Sequence, residues 1–211
     1  MSEPNSRSKA SSRTLVMVEC ALLIALSTVL SLLQIPLMPH GGSVTLFSML
    51  PILLASYRNG PAWGMFTAFI NSLIQFALGI DNLAYCQTLR AQIGCVLLDY
   101  LLAFSVLGLA CLIARPFRNR TAGIAVSSVA VCALRYLCSV LSGYLVWKDY
   151  DYAFEWMTQI GFPGISAMSE DPLCWLYSIV YNITYMLPET ILTTVAAVLI
   201  FRKAPRLFSR S

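Results

Sequence analysis

The 211-residue chain is short of charge and almost without histidine: it holds ten acidic residues, fourteen Lys and Arg, and the single His40. Charged residues make up 11% and hydrophobic ones 58%, which is too little polar surface to cover a water-facing fold and excludes an ordinary soluble domain. No GxxxxGK[ST] phosphate loop, HExxH, GxSxG or cysteine–histidine cluster occurs. Neither ATP hydrolysis nor a familiar intramembrane hydrolysis is therefore expected of the chain itself. The seven cysteines (20, 86, 95, 111, 132, 138 and 174) have no CxxC spacing and fall mostly within apolar stretches. They read as small buried hydrophobes. Without an acid, base and nucleophile set, the chain offers no catalytic residue, and nothing in it calls for a metal, a cofactor or a nucleic-acid partner.

What the sequence does contain is a series of apolar runs, each long enough to consider against the roughly 20 residues that a membrane helix needs. They predict an all-α membrane protein with six transmembrane helices, at about 15–38, 43–58, 61–79, 91–114, 121–147 and 173–201. The first is too long for a signal-peptide core and lacks a small-residue cleavage site, so it reads as a retained span. The second follows the turn residues Pro39-His40-Gly41-Gly42 and contains Pro51, which predicts an irregular or partly re-entrant segment. Arg58-Asn59-Gly60-Pro61 then forms a tight turn into the third.

The few charges are sorted. Eleven of the fourteen basic residues lie in the N-terminal arm (Arg7, Lys9, Arg13), beside the 58–61 turn (Arg58), in the connection Arg115–Arg118–Arg120, or in the tail (Arg202, Lys203, Arg206, Arg210). The alternate connections carry Asp81, Asp149, Asp151, Glu155, Glu170 and Asp171 against only Arg90 and Lys148. A negative cytoplasmic leaflet retains basic loops, so both termini are expected in the cytoplasm of a bacterial-type cell, with the protein in its plasma membrane. Residues 1–13 then form a mobile cytoplasmic arm, 14–203 the six-helix transmembrane domain, and 204–211 a basic cytoplasmic tail. The connection from about 148 to 172, rich in aromatic and acidic residues, has the length of a lid.

Charges within the apolar runs are costly and need partners or a cavity. There are four: Glu19, Asp99, Arg135 and Glu189. Arg135 and Glu189 fall at similar depth with opposite signs, which predicts an ion pair between the fifth and sixth helices. Arg135, Ser139 and Ser142 form one helical stripe; Ser178, Asn182, Tyr185 and Glu189 form another. Asp99, beside Tyr100 and at the depth of Trp147, Tyr177 and Tyr181, has no cation of its own. A carboxylate among aromatic rings suits an organic cation or an amine-bearing heterocycle. Trp156 and Trp175 are expected on an interfacial aromatic belt, and Ala21-x-x-x-Ala25 offers a small-residue face for close helix approach.

The segment Trp175-Leu-Tyr177-Ser-Ile-Val-Tyr181-Asn182-Ile-Thr-Tyr185-Met-Leu-Pro188-Glu189 resembles the last helix of the thiamine-specific S component (ThiT family) of energy-coupling factor transporters. So do Arg135-Tyr-Leu-Cys-Ser-Val-Leu-Ser142-Gly143-Tyr-Leu-Val-Trp147, Leu98-Asp99-Tyr100-Leu-Leu-Ala-Phe104 and Tyr57-Arg-Asn-Gly60-Pro-Ala-Trp-Gly64. The resemblance implies a binding protein that takes thiamine from outside and works with a transmembrane coupling subunit and two cytoplasmic ATPases. It implies that Asp99, followed by Tyr100, holds the aminopyrimidine, that Trp147 stacks on the vitamin, and that Tyr177 and Asn182 contribute from the sixth helix. Arg135 and Ser139 line the same face. Ala21 and Ala25 match the surface that meets the coupling subunit. Asp99 stands where the family has Glu, and Ser139 where it has His, so a thiamine precursor or another heterocyclic vitamin stays open as ligand. An independent proton-coupled secondary transporter is the other transport reading.

Overall fold

A computed structural model describes residues 6–36 and 43–208, with side chains from Arg13 onward. His40 and the turn at 39–42 lie outside the described residues, as do the arm's first five residues and the last three of the tail. The chain is helical nearly throughout. Helix α1 spans Ser6–Leu32, α2 Leu50–Leu78, α3 Leu89–Ala114, α4 Arg120–Leu145, α5 Tyr150–Gln159 and α6 Glu170–Lys203. Among the described residues, four helical stretches are apolar and long enough to cross a bilayer: Arg13–Leu32, α3, α4 and α6. This is an all-α membrane fold.

The largest departure from expectation lies between α1 and α2. The first predicted helix stops at Leu32, and the second starts seven residues late. Gln34–Pro36 (β1) and Ser43–Thr45 (β2) instead pair antiparallel, with Ile35 opposite Val44. The β-branched residues of Ser43-Val44-Thr45 favour the extended backbone, and Val44 is buried on the inner face. Pro51 stands in the first turn of α2, where its missing N–H costs nothing.

Gly60 breaks α2 into two arms, with φ 84° and ψ 179°, a backbone region open to glycine. Ser56 and Gly64, four residues either side, are in direct contact: a Cβ on Gly64 would sit 2.7 Å from the Ser56 Cα. The arms therefore fold back on each other as the 58–61 turn requires.

This turn, the 115–119 connection and residues 205–208 share one end of the bundle. There Arg58 pairs with Glu19 of α1 at 3.1 Å and donates to the carbonyls of Arg206 and Leu207. Phe208 is buried between Tyr57 and Phe201. At the other end the 148–172 connection is itself structured. Asp149 accepts a hydrogen bond from the Tyr152 N–H and caps α5, whose Trp156 and Met157 pack on Ile165 and Leu173.

Helices α4 and α6 pack closely along their length. A Cβ on Gly143 would come within 2.2 Å of the Ser178 Oγ, so the bare Gly143 backbone leaves the room that the Ser178 side chain fills. Ser178 donates to the Val140 carbonyl at 2.8 Å across this contact. Small residues with a hydrogen bond supply helix association where lipid offers no hydrophobic drive.

Candidate ligand-binding site

Asp99 lies in a π-helical turn of α3, Val96–Leu102, between α-helical flanks. Such turns are rare and recur at functional sites. Its Oδ2 accepts the Trp147 indole N–H at 2.9 Å. Ser142, fully buried in the last turn of α4 and five residues before Trp147, and Cys95, one turn before Asp99, flank the same carboxylate. The two candidates nominated from separate helices thus meet directly. No cationic side chain is bonded to Asp99 among the described residues.

Tyr100 takes a different part. Its hydroxyl donates to the Gly79 carbonyl at 3.0 Å and accepts from Asn82 at 2.7 Å, and its ring meets Phe76 edge-on. It fastens the end of α2 to α3 and holds the π turn from behind.

On α6, Asn182 is buried. Its amide donates to the carbonyl of Ser178 at 2.8 Å and to that of Ser139 at 3.4 Å, and its Oδ1 accepts from Tyr185. Tyr185 lies beside Ser139 and within electrostatic reach of both Asp99 and Arg135. These contacts bring Asp99, Ser139, Asn182 and Arg135 to one region between α3, α4 and α6.

Arg135 pairs with Glu189 at 3.4 Å, and its guanidinium lies 4.4 Å from the Phe104 ring centroid. The expected ion pair is present, and it holds a third partner that sequence depth did not reveal: Thr45 of β2 donates to the other Glu189 oxygen.

Tyr177 belongs to an aromatic column. It meets Tyr152 and Trp156 of α5 edge-on at 5.8 and 5.6 Å, and Tyr181 at 5.3 Å; Tyr181 in turn meets Trp156 and Tyr185. Trp156 is only 7% exposed, so it is a core residue of α5 and not a member of an interfacial belt. Trp175 stacks on Tyr144 at 4.1 Å. Beside that stack Lys148 pairs with Glu170 at 2.8 Å and Asp171 at 2.7 Å, while Tyr144 donates to Asp171 at 2.9 Å. Hydrogen bonds to Asp171 and Glu170 raise the Lys148 ammonium above its ordinary range.

A carboxylate with one N–H donor, a run of aromatic rings and a buried amide are groups whose chemistry suits a flat, cationic or amine-bearing ring system. The chain matches the family described as thiamine transporter protein (Thia_YuaJ) over residues 17–209. It belongs to that family. It is 31% identical over 193 residues to the thiamine transporter ThiT of Bacillus subtilis (strain 168), an alignment covering 90% of this chain and 92% of that one. A solved structure of ThiT from Listeria monocytogenes superimposes with a TM-score of 0.70, covering 94% of this chain and all of that one. At 22% identity that likeness shows the shared fold.

Membership of this transporter family makes the chain a membrane transport protein and not an enzyme. Tyr152 and Trp156 join the Tyr177 column without having been nominated as candidates, and Tyr181 and Tyr185, read from the sequence only as neighbours of the candidate residues, join it too. A signal existed for two: Tyr181 and Tyr185 follow Tyr177 at one-turn intervals. Ala21 and Ala25 sit exposed on α1, whose Val16, Cys20, Ile24 and Ser27 face inward.

Proposed function

We propose that this chain is the membrane-embedded substrate-binding subunit for thiamine uptake. The observation that carries the reading is the Asp99–Trp147 contact: a carboxylate with no cationic partner among the described residues, held by an indole donor beside Ser142. Its acceptor capacity suits the exocyclic amine of an aminopyrimidine, and ring surfaces of Trp147 or the Tyr177–Tyr181 column suit the flat pyrimidine and the cationic thiazolium. Asn182, with Ser139 and Tyr185 around it, supplies polar contacts on the α6 side.

In this reading the two arms of α2 complete a set of six spans with α1, α3, α4 and α6. Both termini and the basic end face the cytoplasm of a plasma membrane. Lacking a phosphate loop, the chain draws energy through partners: a transmembrane coupling subunit of the energy-coupling factor type, met through Ala21 and Ala25, and two cytoplasmic ATPases.

Titration calorimetry of the purified chain with thiamine, without ATP or metal, tests the binding step. Saturable one-to-one binding with quenching of Trp fluorescence is expected. Binding of an aminopyrimidine precursor or another vitamin in place of thiamine would keep the site and replace the ligand.

A further inference from the structure

Glu189 is the most deeply buried acidic side chain of the described residues, 1% exposed, and it lies a full turn beyond the Asn182–Tyr185 contact. Around it runs a continuous chain of polar groups. Arg135 donates to Oε2, and Thr45 donates to Oε1. The Thr45 and Ser48 hydroxyls are 2.5 Å apart, and the Ser48 carbonyl accepts from the Ser27 hydroxyl of α1 at 2.7 Å. Because the single Thr45 proton goes to the carboxylate, Ser48 must be the donor toward Thr45. The carboxylate therefore sets the direction of the Thr45 and Ser48 hydroxyls, and the Ser48 backbone links them to Ser27. Ser27 and Ser48 are 2% and 5% exposed, so neither has water as an alternative partner.

We infer that Glu189 and Thr45 are positioning residues that couple the ligand site to α1, so that occupancy of the site changes the setting of α1's exposed face. The inference rests on the thiamine-binding reading for its ligand and not for its wiring. Two features give it direction. Arg135 and Tyr185 stand one turn from Ser139 and Asn182 respectively, or within that turn, so a ligand that draws on these groups moves the Arg135–Glu189 pair. At the other end, Ser27 lies on the inner side of α1, two residues after Ala25 on the outer side. A buried network in low dielectric resists partial rearrangement, because each unmade bond leaves an unsolvated group. Displacement at Glu189 is therefore carried to Ser27 and not absorbed between them.

The experiment uses the full chain in lipid nanodiscs with an environment-sensitive fluorescent amino acid at Leu22, on the exposed side of α1. Saturating thiamine shifts the probe's emission in the parent protein. Thr45→Val and Ser27→Ala lose most of that shift, with calorimetric affinity for thiamine kept within about tenfold, whereas Thr45→Ser, which keeps the hydroxyl, restores it. A ligand-free arm accompanies it: Glu189→Gln alters the probe emission in the parent and has no effect in the Ser27→Ala background. An undiminished thiamine shift in Thr45→Val, or a Glu189→Gln effect indifferent to Ser27, overturns the coupling. Absence of thiamine binding in the parent overturns the ligand assignment, and the ligand-free arm then decides the coupling alone.

Discussion

The Trp147 indole N–H reaches the Asp99 carboxylate at 2.9 Å, across two helices and from 48 residues away. This bond does two things at once. It fixes the plane of the indole at the site and offsets part of the penalty of holding a carboxylate in the apolar wall, since a charge-assisted hydrogen bond contributes about 1.5–3 kcal/mol.

Asp99→Asn is expected to weaken thiamine binding at least about tenfold, because the neutral amide forfeits a charge-assisted bond to the ligand's amine. Trp147→Phe keeps a ring but removes the donor and should also weaken binding, by a smaller factor. Asp99→Glu should be tolerated. Calorimetry on folded variants checks the order; an Asp99→Asn protein that binds as tightly as the parent makes the carboxylate a structural group.

Gly143→Ala tests the α4–α6 contact. A methyl there meets Ser178 Oγ at 2.2 Å and bears on Asn182, 3.3 Å away, so the helices must part or the Ser178–Val140 bond must break. Overpacking of this kind costs about 1–3 kcal/mol. A lower thermal midpoint in detergent, together with weaker ligand binding through the displaced Asn182, is the expected result.

Lys148→Met removes the cation that joins the two ends of the α5 connection through Glu170 and Asp171. All three side chains face solvent, so global stability should barely move. Local opening should increase instead: backbone amides at 150–159 are expected to exchange faster, and thiamine to dissociate faster, in the variant. Unchanged exchange there would mean that the Trp156 and Met157 packing alone holds α5.

Ala21→Trp combined with Ala25→Trp should abolish thiamine uptake by cells while leaving binding by the isolated chain nearly intact, since both residues point away from the bundle. Uptake at the parental rate would remove this face from consideration as the docking surface. Loss of binding as well would assign it to internal packing.

Much of the helical frame was legible because long apolar runs end in local signals. The run placed at 91–114 is Leu89–Ala114, begun by Thr88, whose side chain accepts from the Ala91 N–H. The run at 121–147 is Arg120–Leu145, begun by Asn119, whose side chain accepts from the N–H groups of Thr121 and Ala122. The Arg135–Glu189 pair followed from depth and sign. What escaped is non-local. The β1–β2 pairing draws its hydrogen bonds from a partner strand, and the Thr45–Glu189 contact joins residues 144 positions apart with no helical register to place Thr45. Helix α5 was missed for a different reason: its buried residues Ala153, Trp156 and Met157 lie among acids and tyrosines, a short amphipathic pattern that reads as loop beside the long runs. Of the nominated site residues, Tyr100 shows the limit of sequence proximity to Asp99, since the π turn sends its hydroxyl to Gly79.

That π turn has an evolutionary consequence. Each of its hydrogen bonds encloses one residue more than an α-helix needs, so Val96–Leu102 accommodates a residue that α-helical continuity would not require. A one-codon deletion ahead of Asp99 in this turn would restore α-helical hydrogen bonding there and rotate Asp99 relative to the helix that follows, away from Trp147. Under the thiamine-binding reading, the chain is thus one indel from a membrane bundle whose Asp99 no longer meets Trp147. A length change at 96–102 in a related sequence would then mark loss of the Asp99–Trp147 contact, separable from substitutions that alter stability.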